Sequence, residues 1–142
     1  MKGPSNSPEG SKEPASGPYI VTLDVGSSSV RTLLFDGRAR EVPGLSAHLG
    51  YELVTTQDGG VEVDADGLAE MTIQAIDQIH QRLAARGLRP DAVASCTFWH
   101  NVLGVNANGG PTTPVIHPFD TRSAAAARKL AQRIDNRRQH AR

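Results

Sequence analysis

The chain has 142 residues, with 15 basic and 15 acidic side chains and a formal net charge of zero. That balance gives no electrostatic footprint for nucleic acid or for an anionic membrane surface, and an aromatic content of 4% leaves few platforms for base stacking. The single cysteine, Cys96, excludes an internal disulfide and a cysteine-based zinc cluster, and no apolar run is long enough to span a bilayer.

Residues 1–18, MKGPSNSPEGSKEPASGP, hold almost nothing apolar. They cannot bury enough surface to offset the entropy of ordering, so a disordered tail is expected, most simply a passive extension. Met1-Lys2-Gly3-Pro4 runs into polar residues instead of an apolar signal core. A cytoplasmic protein is therefore expected.

Tyr19 to Asp36, YIVTLDVGSSSVRTLLFD, reads as strand, polar turn and strand. Ile20, Val21 and Leu23 lead to Asp24; Val30, Leu33, Leu34 and Phe35 lead away to Asp36. The turn Gly26-Ser27-Ser28-Ser29 sets a glycine and three hydroxyls beside the Asp24 carboxylate. Such a turn can clasp a phosphate. Glycine lets an anion approach the main chain, successive N–H groups can face it, and a carboxylate can hold hydrated Mg²⁺. It is not a Walker loop, because Gly-Lys-Ser/Thr is absent and a strand follows. The same residues also suit an ordinary hairpin turn.

Leu45 to Thr56 is predicted as a third strand, Asp58-Gly59-Gly60 as a turn, and Val61 to Val63 as a brief strand. A helix is predicted over Ala65 to Arg86, capped by Asp64 or Asp66. Leu68, Met71, Ala75, Ile79 and Leu83 fall on its core stripe with Ile76 beside them, and Gly87 and Pro90 follow as stops. His80 reads as a solvated helix side chain. Ala92 to Phe98 is predicted as an apolar strand with Cys96 buried and reduced. Val102 to Val105 and Thr112 to Ile116 read as further short strands around the Asn108-Gly109-Gly110 turn. Ser123 to Ile134 reads as a second helix, with Ala126, Ala127, Leu130, Ala131 and Ile134 on one face. A right-handed crossover through the first helix sets the Ala92 strand parallel to the first strand.

Three segments, in this order, resemble one family. LDVGSSSVRTLLFD resembles the first phosphate-binding hairpin of the FGGY sugar kinases, which belong to the actin, hexokinase and Hsp70 superfamily of ATPases. ASCTFWHNVLGVN resembles their strand carrying a sugar-facing histidine, and PVIHPFDTRS their Trp-x-Asp-x-Arg segment. The tryptophan position of that last motif holds Pro118, which removes a flat aromatic wall.

The resemblance implies a ribonuclease-H-like (actin-like ATPase) α/β fold, with a mixed sheet, flanking helices and residues 19–142 as an incomplete first domain. It implies ATP and Mg²⁺ as cofactors and a sugar or polyol as partner. By it, Asp24 holds Mg²⁺ through water, Gly26, Ser27, Ser28 and Arg31 line the phosphate path, and His100, Asp120 and Arg122 face the sugar. It places the general-base Asp beyond Arg142, so no catalytic base is expected here and the chain reads as an N-terminal fragment inactive alone. The acceptor stays open among gluconate, xylulose, ribulose, glycerol and others.

Plainer readings stand beside these. Arg31 suits a solvated strand cation, His100 a surface loop, and Asp120 the N-cap of the second helix. Two other functions fit parts of the chain. A ribonuclease-H-like nuclease would pair Asp24 with Glu70 or Asp77, but the later strand AVASCTF offers no carboxylate and the net charge is zero. A non-catalytic remnant or interaction fragment would expose sheet edges and apolar surface.

Overall fold

The computed structural model describes residues 16–131 and 134. The expected tail over residues 1–15 lies outside them. At its described end, the Ser16 carbonyl accepts a hydrogen bond from the Gly37 N–H at 3.0 Å.

Strand β1 (Ile20–Val25) and β2 (Ser29–Phe35) form the predicted hairpin. Strand β3 (Glu41–Gly50) pairs antiparallel with β2. It begins earlier than the sequence suggested and stops at Gly50, opposite Ser29, where β2 itself begins. Next come β4 (Val54–Thr55), β5 (Val61–Val63) and helix α1 (Ala65–Ala85). Strand β6 (Ala92–Thr97) lies parallel to β1, as the crossover argument requires. Strand β7 (Val115–Ile116) and helix α2 (Ala124–Ala131) follow. The main sheet runs β3-β2-β1-β6, and a small antiparallel sheet runs β4-β5-β7. The mixed sheet and its helices make the α/β class expected from the sequence.

Alternation in the hairpin sends Val21, Leu34 and Val30 to one face, where α1 lies against β2 and β3. Val21, Leu34, Val42, Leu45, Ile79 and Leu83 form the core. Leu34 and Leu45 are wholly buried, each contributing about 1.5–3 kcal/mol by removal from water. Ala75, Ile79 and Leu83, four residues apart, carry the buried stripe of α1, while Ile76 is exposed. Asp64 caps the helix by accepting from the Gly67 N–H at 3.0 Å. At the other end Gly87 adopts φ +63°, and the Leu88 and Gly87 N–H groups bond back to Leu83 and Ala84. This is the Schellman arrangement that a glycine permits.

Three local expectations change. Cys96 is exposed. β6 is the outer strand of the sheet and α1 covers β2 and β3 instead, so even Val93 is 66% exposed. Val102 and Val105 form only isolated bridges, to Ile116 and Pro111. Asp120 is not the cap of α2. That helix starts at Ala124, and the Asp120 carboxylate instead accepts from the Arg122 N–H at 2.9 Å. Positions 132 and 133 of the predicted second helix lie outside the described residues.

Candidate active site

The opposed pairs of the main sheet carry one polar row across its other face. His48, Arg31, Asp24 and Cys96 sit side by side on β3, β2, β1 and β6. Arg31 Nη2 donates to Asp24 Oδ2 at 2.7 Å, and the Cys96 thiol donates to Asp24 Oδ1 at 3.2 Å. The Asp24 carboxylate that accepts this bond raises the Cys96 thiol above its ordinary value. Cys96 is thereby held as a protonated donor.

The row ends at the hairpin turn. The Gly26 N–H donates to the Ser29 carbonyl at 2.9 Å, closing the turn. A Cβ at Gly26 would come within 3.3 Å of that carbonyl and 3.9 Å of both Asp24 oxygens, so a side chain there would fill the approach to the carboxylate. Ser27 and Ser28 are exposed. Among the described residues nothing accepts from their N–H groups, which are free to face an anion. From behind, the Tyr51 N–H bonds the Ser28 carbonyl at 2.9 Å and the Tyr51 hydroxyl bonds the Gly26 carbonyl. Burial raises the Tyr51 hydroxyl above its ordinary value, so it stays a donor. Sequence reading missed Tyr51, because its partners lie more than twenty residues away.

The described residues contain no group of three or more His, Cys, Asp or Glu side chains able to cage a metal. The donor set at Asp24 is one carboxylate, with the exposed Ser27 and Ser28 following it in the turn. That suits Mg²⁺, which keeps most of its water and takes one or two carboxylates.

Strand β6 leads directly to the second part of the site. The Phe98 N–H bonds the Val25 carbonyl at 2.9 Å, and His100 follows with φ +64°. A non-glycine residue in that region is held there by its surroundings. His100 lines a cleft of about 690 Å³ together with Glu62, His117, Asp120, Arg122 and Ser123. The sequence-predicted trio of His100, Asp120 and Arg122 is thus brought together.

Asp120 is tightly engaged. Its carboxylate accepts from the Arg122 N–H, from Arg122 Nε and Nη2, and from the Val61 N–H at 3.2 Å. The Arg122 guanidinium holds it well below the usual carboxylate range, at about 2. Arg122 Nη2 also pairs with Glu62 Oε1 at 2.6 Å. The two carboxylates raise the Arg122 guanidinium above its usual value. Glu62 was not found from the sequence. Its signal was a charged residue between two valines in β5, the middle strand of its sheet. His117 is buried and packs against Phe119 with ring centroids 4.6 Å apart. Its Nδ1 accepts from the Phe119 N–H at 3.3 Å, so Nε2 carries the proton, and that atom is buried without a partner.

Residues 19–142 match the FGGY family of carbohydrate kinases, N-terminal domain. The autoinducer-2 kinase of Salmonella typhimurium is 27% identical over 121 residues, covering 85% of this chain and 23% of that protein. The gluconokinase of Bacillus subtilis is 24% identical over 117 residues, covering 82% of this chain and 22% of that protein. Among solved structures, the Plasmodium falciparum glycerol kinase with ADP superposes with a TM-score of 0.76 at 16% identity, over 89% of this chain and 25% of that one. The chain therefore spans about a quarter of the length of these relatives, and its fold matches the corresponding part of the glycerol kinase. With the family match covering everything from Tyr19 to Arg142, the chain belongs to the FGGY family of carbohydrate kinases, within their N-terminal domain.

Proposed function

We propose that this chain forms the phosphate-binding and acceptor-binding part of an ATP-dependent kinase that phosphorylates a hydroxyl of a sugar or polyol. The observation that carries the reading is the layout around β6. One end of the parallel β1–β6 pair holds the Asp24 carboxylate and the Gly26–Ser29 turn. The chain leaving that same end reaches His100 in the cleft that Glu62, Asp120 and Arg122 also line. A phosphoryl donor and a hydroxyl acceptor need such neighbouring sites.

In this reading the Ser27 and Ser28 N–H groups and hydroxyls bind phosphoryl oxygens, and Gly26 leaves them room. Asp24 and Arg31 balance charge at the phosphate path. Asp24 would hold Mg²⁺ through water; the ion supplies charge neutralisation on the phosphates. Tyr51 keeps the turn in shape by tying down the Gly26 and Ser28 carbonyls. His100 and the groups around it orient the acceptor, and positioning of this kind carries most of phosphoryl-transfer catalysis.

A general base must still receive the acceptor proton. We place it outside this segment, since the chain spans only 23% of the length of the autoinducer-2 kinase. On this reading the 142-residue chain alone should show no turnover. The test is transfer of γ-labelled phosphate from ATP to a panel of sugars and polyols. The gene product carrying this segment at native length should transfer label, and the 142-residue chain should not. No transfer to any acceptor by the native-length protein contradicts the function. Transfer by the chain alone contradicts the assignment of the base.

A further inference from the structure

The resemblance assigns the sugar-facing role to both Asp120 and Arg122, yet the hydrogen bonds divide the labour differently. An ionised carboxylate offers about four acceptor sites. At Asp120, Oδ2 accepts from the Val61 N–H and from Arg122 Nε and Nη2, while Oδ1 accepts from the Arg122 N–H at 2.9 Å and shares Nε at 3.2 Å. The Asp120 side chain is only 6% exposed. Thr121 adds to the same joint, its N–H and hydroxyl both bonding the Gly59 carbonyl. The segment 120–122 is thus fastened to the start of β5, and both Asp120 oxygens are already engaged within the protein.

Glu62 has one. It stands on β5, paired on both sides by β4 and β7, which fixes its backbone. Its Oε1 pairs with Arg122, and no other described group engages its Oε2. That oxygen is not among the buried atoms without a partner, and the side chain, which lines the cleft, is 21% exposed. The carboxylates and guanidinium lining the cleft are Glu62, Asp120 and Arg122, two negative and one positive. Once Asp120 and Arg122 neutralise each other, one negative charge faces the ligand. A carboxylate ligand would meet a like charge in a partly desolvated site.

We propose that Glu62 Oε2 accepts a hydroxyl of an uncharged sugar or polyol, that Asp120 is a positioning residue holding Arg122, and that the cleft rejects sugar acids. This rests on the reading of the cleft as the acceptor site. It separates this chain from a kinase for an aldonate.

The test uses the ¹⁵N-labelled chain at neutral pH and low salt, with xylitol and gluconate as probes and amide shifts of Glu62, His100 and Ser123 as readout. Xylitol should shift these amides and gluconate should bind at least tenfold more weakly. Glu62→Gln should weaken xylitol about tenfold, the cost of exchanging a charged hydrogen-bond acceptor for a neutral one, and narrow the difference between xylitol and gluconate. Asp120→Asn should weaken xylitol clearly less than Glu62→Gln does, because it loosens Arg122 without removing an atom that touches the ligand. The wild-type comparison of the two probes needs no variant to fold. Equal binding of gluconate and xylitol, unchanged xylitol affinity in Glu62→Gln, or an equal loss in Asp120→Asn overturns the inference and leaves the cleft as acceptor site. Binding of neither probe overturns the acceptor reading of the cleft and the inference with it.

Discussion

Asp24 and Arg31 face each other across the first hairpin, in register on β1 and β2, with Nη2 and Oδ2 2.7 Å apart. Both are partly solvated, at 30% and 51% exposure. Solvent screening leaves such a pair worth about 0–1 kcal/mol, so its stability role is small. Arg31→Ala should lower folding stability by no more than that, measured by urea denaturation. In the proposed ATP-dependent transfer reaction, Asp24→Ala should lower kcat by about a hundredfold, the loss of one preorganised electrostatic contact. Acceptor affinity should barely change. A folded variant with unchanged kcat would remove Asp24 from the chemistry.

The same carboxylate governs Cys96. Asp24 accepts the thiol hydrogen bond and raises the thiol above its ordinary value. Asp24→Asn removes the charge, so the thiol value should fall and the thiolate fraction at pH 8 should rise. Alkylation of Cys96 by iodoacetamide should therefore run faster in the variant than in the wild type. An equal or slower rate would show that the thiol does not sense Asp24.

Asp36 gives a pH signature remote from the site. Its side chain is 1% exposed and pairs with Arg40 at 2.7 Å. The Arg40 side-chain and backbone hydrogen bonds lower it from 3.8 to about 2. The unfolded chain binds the proton more tightly than the folded one. The stabilisation is therefore full above pH 3.8 and is lost as pH falls through about 2. Asp36→Asn should be less stable than wild type near neutrality, and the difference in melting temperature should close between these two pH values. A constant difference would place the role of Asp36 outside ionisation.

Two glycines separate backbone strain from crowding. Gly59 has φ +91°, and a Cβ there would lie 2.2 Å from the Thr121 hydroxyl. Gly109 has φ +82° with nothing within 4 Å. Gly109→Ala should cost about 1–2 kcal/mol from the left-handed conformation alone. Gly59→Ala should cost more, because it also parts β5 from the 120–122 segment. Equal losses in chemical denaturation would mean that this joint contributes little.

The first hairpin and α1 were legible in the sequence because their periodicities are local. Alternation marks Val21 and Leu34 for one face, and a four-residue repeat carries Ala75, Ile79 and Leu83. What failed depended on neighbours. Cys96 sits in an apolar string, yet its strand is at the sheet edge and uncovered. Asp120 has the composition of a helix cap, but the Arg122 guanidinium and the Val61 N–H draw its carboxylate elsewhere. Glu62 and Tyr51 gave no motif, since each is defined by partners distant in the chain.

The central claim is that the turn after Asp24 binds the phosphates of Mg²⁺–ATP. Amide NMR of the ¹⁵N-labelled chain, titrated with millimolar Mg²⁺–ATP, tests it at residue resolution. The account predicts saturable shifts at Gly26, Ser27 and Ser28, strongly reduced in Asp24→Asn. Unchanged amides at all three positions in the folded wild-type chain would contradict it.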